Sequence, residues 1–273
     1  MISSEILSDF DVFANEYIFE FILINETPLA IGAGKDPEGI TDNPIVRLYT
    51  DGKELPYIPG SSLKGVLRTE AERFVQTIYN KDNNPEIICN IFSDINSEYN
   101  ELKKKKNIEE YNEKNPNNKK EYKPCLICNI FGGPTIASRI KVYNAELIDK
   151  DREKFTESIR RVAIDRISGG QYSGKLFDME YVIPKLEFKW RLSFENIDLL
   201  KDNISNEYDK RLISIINYLM KRLIKDGIEV GGRRSIGLGV LKVKEFNVKK
   251  YYLDDGILKD VDVTNEFKRR FEM

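Results

Sequence analysis

The chain has 273 residues, 41% apolar and 32% charged, with a formal net charge of −2. That length supports one large domain or two small ones with a real core, and the composition excludes a disordered chain. The near-neutral balance excludes a global field for nucleic acid, so an RNA partner must be met by basic residues gathered on one face.

There is no histidine. Ser-His-Asp triads, Cys-His pairs, zincin helices and histidine-pair ribonucleases are therefore excluded, and any chemistry must run on carboxylates, lysines, backbone donors or a bound metal. No apolar run nears the roughly 20 residues of a membrane span. The opening "MISSEILSDFDVFANEY" is acidic and lacks the basic-then-apolar order of a signal peptide. A soluble, cytoplasmic protein is expected. Three cysteines form no even framework, and the Cys125-x-x-Cys128 spacing favours metal binding or redox chemistry over disulfides.

In chain order, "YIFEFILI" (residues 17–24) reads as a strand. A Gly/Pro/Asp-rich loop follows, ending near Pro44. Residues 62–80 carry Leu63, Leu67, Ala71, Phe74 and Ile78 at helical spacing, with Ser61 or Ser62 as the expected N-cap. From Lys81 the composition changes, and residues 100–123 are almost all Lys, Glu and Asn, a solvated insertion. The insertion is placed at residues 81–136, with Cys89 before the charged run and the cysteine pair after it. "ASRIKVYNAEL" (137–147) reads as a strand. Residues 160–185 read as a projecting hairpin with a basic first arm (Arg160, Arg161, Arg166) and an apolar-aromatic second arm (Leu176, Phe177, Met179, Tyr181). Residues 186–194 give another strand, and 208–226 a helix with Leu212, Ile215, Ile216, Leu219 and Leu223 on one face and Gly227 as its stop. "GGRRSIGLGVLKVKEFNV" then enters a final strand. The order β-α-β-(hairpin)-β-α-β predicts one α+β domain over residues 1–273, of modified ferredoxin-like (RRM-like) type.

Four constellations carry candidate chemistry. "PGSSLKGVLR" places Gly60, Ser61 and Ser62 at a helix start, with Lys64 and Arg68 one turn apart behind it; this is either an ordinary capped helix or a phosphate cradle. "EVGGRRSIGLGV" follows a helix and enters a strand, the wrong context for a dinucleotide fingerprint. Gly232, Arg233, Arg234 and Ser235 there suit a phosphodiester backbone, or else form a flexible connection. Asp36, Glu38 and Asp42 stand in the loop before the phosphate-type helix, as turn residues or as holders of a metal or proton. Cys89, Cys125 and Cys128 could hold structural zinc, which wants four ligands, so a carboxylate such as Asp82 or Asp94 would have to complete the set; the rivals are buried hydrophobes or a redox dithiol. The hairpin is a plain edge hairpin, or a finger that presses between nucleotides.

Taken together, "LAIGAGKDPEGITDNPIVR", "YIPGSSLKGVLRTEAERF", "VAIDRISGGQYSGKLFDMEYVIP" and "GGRRSIGLGVL" resemble the RAMP superfamily, specifically the backbone subunits of type III CRISPR effector complexes. The blocks occur in family order over residues 29–241. The resemblance implies a guide-RNA-binding subunit that assembles with copies of itself and with other effector subunits along the guide, its thumb hairpin kinking the guide-target duplex. It also implies that the helix start and the glycine-rich loop hold guide phosphates. Cleaving members carry an aspartate before an Asn/Ser-Pro-Val/Ile turn, matched here by Asp42 in "ITDNPIV". Their reaction uses a divalent metal, Mg or Mn, to help the RNA 2′-hydroxyl attack its neighbouring phosphate. The chain departs from many relatives in having Ala30 where they have histidine. The alternatives are a non-catalytic backbone subunit whose target another subunit cuts, and a free RRM-like protein, which would require RNP-like aromatic strands that this sequence does not display.

Overall fold

A computed structural model describes residues 12–34, 43–79, 96–120 and 122–271. The elements in chain order begin with β1 (Asn15–Asn25), β2 (Arg47–Thr50), β3 (Lys53–Ile58), α1 (Gly60–Ile78), α2 (Asn96–Lys114) and α3 (Leu126–Phe131). Then come β4 (Ile140–Val142), β5 (Ala145–Leu147), β6 (Thr156–Ile164), β7 (Gln171–Val182), β8 (Glu187–Glu195) and α4 (Glu207–Asp226). The chain closes with β9 (Ile228–Glu229), β10 (Val240–Asp254), β11 (Ile257–Asp262) and α5 (Thr264–Arg270).

The main sheet runs β11-β10-β1-β8-β5-β3-β2, with β4 also on β8 and β9 on β10. The pairings are antiparallel. Stripped of additions, the path β1-α1-(β4, β5)-β8-α4-β10 places the last strand beside the first, and the third between the first and second. That is the ferredoxin-like arrangement, so the fold is α+β of this type.

Strand β1 is central because its alternation is strict. Tyr17, Phe19, Phe21 and Leu23 are buried on the helix side, and the residues between them are half-exposed. Phe21 stacks on Trp190 at 5.1 Å and Phe19 meets Phe194 edge-on at 5.9 Å. Phe267 of α5 closes over Phe19 at 5.0 Å. Helix α1 buries Leu63, Leu67, Ala71 and Val75, an i, i+4 stripe, while Ile78 stays exposed. Helix α4 buries Leu212, Ile215, Ile216, Leu219 and Leu223 as its spacing predicts, and Gly227 ends it with φ 81°. No helix among the described residues is long and apolar enough to cross a membrane.

Several expectations need correction. The N-cap of α1 is Pro59, not Ser61 or Ser62; the Pro59 carbonyl accepts the Ser62 and Leu63 amides at 3.0 and 3.2 Å, so the helix starts two residues early. The strand expected over 137–147 is broken at Tyr143 and Asn144 into β4 and β5. The charged run holds α2, because Lys and Glu are good helix formers when sequence offers them in a block. Residues 115–120 fold back on α2, with the Lys120 amide on Asn112 Oδ1 at 2.6 Å and its ammonium 4.2 Å from the Tyr111 ring centre. β10 is not the last strand: an Asp255-Gly256 turn, both at positive φ, returns the chain as β11.

Candidate nucleic-acid interface

Residues 28–33 form a short extended segment whose backbone joins three separate parts of the chain. Leu29 exchanges two hydrogen bonds with Val182 of β7, at 3.0 and 2.8 Å. The Ile31 carbonyl accepts the Val46 amide at 2.9 Å, and the Ala33 amide donates to Pro44 at 2.9 Å. The Pro28 and Ala30 carbonyls accept the amides of Gly239 and Gly232, at 2.9 and 2.8 Å. The hairpin, the stem of the acidic loop and the glycine-rich loop therefore meet on one segment.

The glycines of "GGRRSIGLG" are explained by this approach. A Cβ on Gly231 would stand 3.1 Å from the Ala30 carbonyl carbon, and one on Gly239 equally close to that of Val230, both at φ near +87°. Arg233 takes the left-handed conformation (φ 61°) and holds its guanidinium 5.1 Å from the Phe177 ring centre on β7. Arg234 and Ser235, in a single 3-10 turn, are exposed. Arg234 also lines a cleft of about 440 Å³ between α1 and α4, with Glu70, Arg73, Arg222 and Asp226.

The α1 start is engaged with protein. The Gly60 amide donates to Asn144 Oδ1 at 2.9 Å, and a Cβ there would lie 2.9 Å from the Tyr143 carbonyl. The break between β4 and β5 is what turns Asn144 towards it. Lys64 donates to Ser138 Oγ at 2.8 Å; burial, then the neighbouring Arg68 guanidinium, hold its ammonium below the usual lysine range. Arg68 bonds Glu72 at 2.9 Å and the Gly132 carbonyl at 3.3 Å, yet its Nη2 is buried without a hydrogen-bond partner among the described residues. Ser61 is exposed and Ser62 half-buried.

β6 and β7 form a separate two-stranded hairpin that begins at Thr156, before the expected residue 160. Arg160 pairs with Asp178 through two bonds, 3.0 and 3.1 Å, in solvent. Arg161 has a buried Nε without a partner among the described residues, and Arg166 is exposed at the tip. The exposed apolar surface differs from expectation. Met179 is buried and Tyr181 bonds Glu157, whereas Ile159, Val162 and Ile164 on the first arm and Ile167 at the tip are exposed, Ile167 to 97%. On the second arm Phe177, Met179 and Glu180 meet the body, Tyr172 is exposed, and the Leu176 side chain lies outside the described residues.

Asp36, Glu38 and Asp42 lie outside the described residues, as do Cys89, Asp82 and Asp94. The residue after Asp42 is placed: Asn43 bridges Met179, and its carbonyl accepts the Glu180 amide at 3.2 Å. Cys125 caps α3 and its Sγ accepts the Cys128 amide at 3.3 Å, both cysteines being buried. Among the described residues no three His, Cys, Asp or Glu side chains gather as a metal site. Sequence reasoning missed Asn144, Glu180 and Arg47. No local signal marks the last two, which meet across the chain.

The sequence model of the RAMP superfamily matches residues 23–242. No curated protein matches the chain. A match over well more than half of the length settles the family: the chain belongs to the RAMP superfamily, and with it to the CRISPR-associated RNA-binding subunits.

Gly60→Ala should lower stability although alanine favours helix. The propensity gain is at most about 1 kcal/mol, whereas overpacking against a backbone carbonyl costs about 1–3 kcal/mol. A lower urea midpoint with an unchanged m-value is the expected result.

Proposed function

We propose that this chain is a guide-RNA-binding backbone subunit of a type III CRISPR effector complex, which assembles along the guide with copies of itself and cuts complementary target RNA through Asp42. The observation that carries this reading is the meeting of finger, glycine-rich loop and acidic-loop stem on residues 28–33. A strand of RNA laid there would meet a phosphate-binding loop on one side and an apolar finger on the other.

In the reaction, the 2′-hydroxyl gives its proton to solvent as its oxygen attacks the adjacent phosphorus, the bond to the 5′-oxygen breaks, and that oxygen takes a proton from solvent, leaving a 2′,3′-cyclic phosphate and a 5′-hydroxyl. Asp42 would hold the attacking hydroxyl or a divalent ion in place. A bound Mg or Mn ion would offset the charge that develops on the phosphate. With no histidine in the chain, a carboxylate is among the groups left for this step. Asp42→Ala in the guide-loaded complex should abolish target cleavage and leave guide and target binding nearly unchanged, because the carboxylate contributes only as charge develops. Asp36→Ala and Glu38→Ala should retain most activity. Cleavage at the native rate by Asp42→Ala would leave the non-catalytic backbone reading in its place.

Lys64→Ala and Arg68→Ala should each weaken guide binding and reduce the slope of log affinity against log salt by about 1, one phosphate contact apiece. Filter binding across a salt series measures this. An unchanged slope in both would remove the phosphate role and leave them as clamps on residues 132–138.

We also propose a structural zinc held by Cys125, Cys128 and Cys89, with a carboxylate such as Asp82 or Asp94 completing the four ligands. The fit rests on two buried sulfurs within one helical turn, one already accepting an amide, as a thiolate ligand does. Metal analysis of protein purified without added zinc should find about one zinc per chain, lost from Cys125→Ser.

A further inference from the structure

We propose that Glu180 is a positioning residue that locks the stem of the acidic loop to the finger. This rests on the reading of Asp42 as the cleaving residue. Glu180 lies on β7 and is only 8% exposed. Its Oε2 accepts the Ile45 amide at 3.1 Å, and its Oε1 pairs with the Arg47 guanidinium. Arg47 in turn reaches back to the Ile45 carbonyl at 3.4 Å. The Glu180 amide itself donates to the Asn43 carbonyl at 3.2 Å. One residue of the finger thus holds three alternate residues of the stem, the first of them directly after Asp42.

A buried carboxylate is costly, and an apolar residue would fill the same volume more cheaply. A carboxylate takes a backbone amide on one oxygen and a guanidinium on the other, and that double acceptance is directional and charge-assisted. The stem needs such direction, because Asn43 and Ile45 make only isolated bridges, to Met179 and Gly32, and belong to no strand. An extended segment so weakly paired can slip, and a slip of one residue turns every side chain to the other face. Glu180 sets that register with respect to the finger, the element that would press on RNA.

The test compares Glu180→Gln, Arg47→Gln and Asp42→Ala in the assembled, guide-loaded complex. Glutamine at 180 keeps the shape and an acceptor for Ile45 but turns an amide donor against Arg47. Target cleavage at saturating target should fall about 10- to 100-fold in both stem variants, with the loss in kcat and not in KM, as a misplacement of about 1 Å produces. Guide affinity should stay unchanged. Arg47 is half-exposed, so Arg47→Gln decides the matter if Glu180→Gln does not fold. Native kcat in both stem variants, or a loss confined to KM, would overturn the positioning role while an inactive Asp42→Ala still upholds the cleavage reading. Native cleavage by Asp42→Ala would instead remove the cleavage reading, and the positioning role with it.

Discussion

The arrangement of the candidate interface depends on the backbone of residues 28–33, which behaves as a strand in all but length. An extended chain presents its amides and carbonyls alternately to its two edges. Here the even-numbered carbonyls, Pro28 and Ala30, face the glycine-rich loop. The odd-numbered residues, Leu29, Ile31 and Ala33, face the finger and the loop stem. Polar groups of a backbone must find partners when buried, so this segment cannot satisfy itself without gathering both neighbours. Leu29 and Ile31 add anchoring, since both side chains sit in the core.

The glycines follow from that constraint. A loop that brings its amides onto carbonyls at 2.8 to 2.9 Å leaves no room for a Cβ at Gly231 or Gly239. Glycine in this loop therefore serves close packing of backbone on backbone first. What is left over for a ligand is the middle of the loop, Arg233 to Ser235, which the two tight ends push outward. The α1 start shows the same commitment: Gly60 is held by the β4-β5 break.

The sequence was legible where one periodicity governs a long element. β1 alternates strictly, and α4 repeats at 3.6 residues, so both were readable to within a residue or two at each end. α3 was not, because all six of its residues are buried and no polar face marks a period. β2 and β3 are short, and their one local mark is the Asp-Gly signal of a two-residue hairpin in "TDGK", with Asp51 and Gly52 both at positive φ. The site was legible as a set of separate motifs. Their meeting was not, since Leu29 finds Val182 and Arg47 finds Glu180 only through the tertiary fold, and no local pattern encodes pairings at such separation. The finger shows the same limit: its arms were readable, but the contacts that bury Met179 and Glu180 against the body were not.

The sheet itself supplies the argument for where RNA would go. An RRM-like protein that binds single strands on its sheet needs aromatic rings on the outward face of the central strands. In β1 and β8 the positions alternating with the core rings are Ile18, Glu20 and Ile22, paired with Ser193, itself buried, Arg191 and Lys189. Opposite charges stand across from one another at Glu20 and Arg191, and no ring is offered by these three pairs to stack on a base. The rings of β1 and β8 point the other way, into the core. The glycine-rich loop and the finger are gathered away from that face by residues 28–33. The polar strand pairing that makes the sheet a poor platform for bases is the same alternation that frees Tyr17, Phe19, Phe21 and Trp190 to build the core.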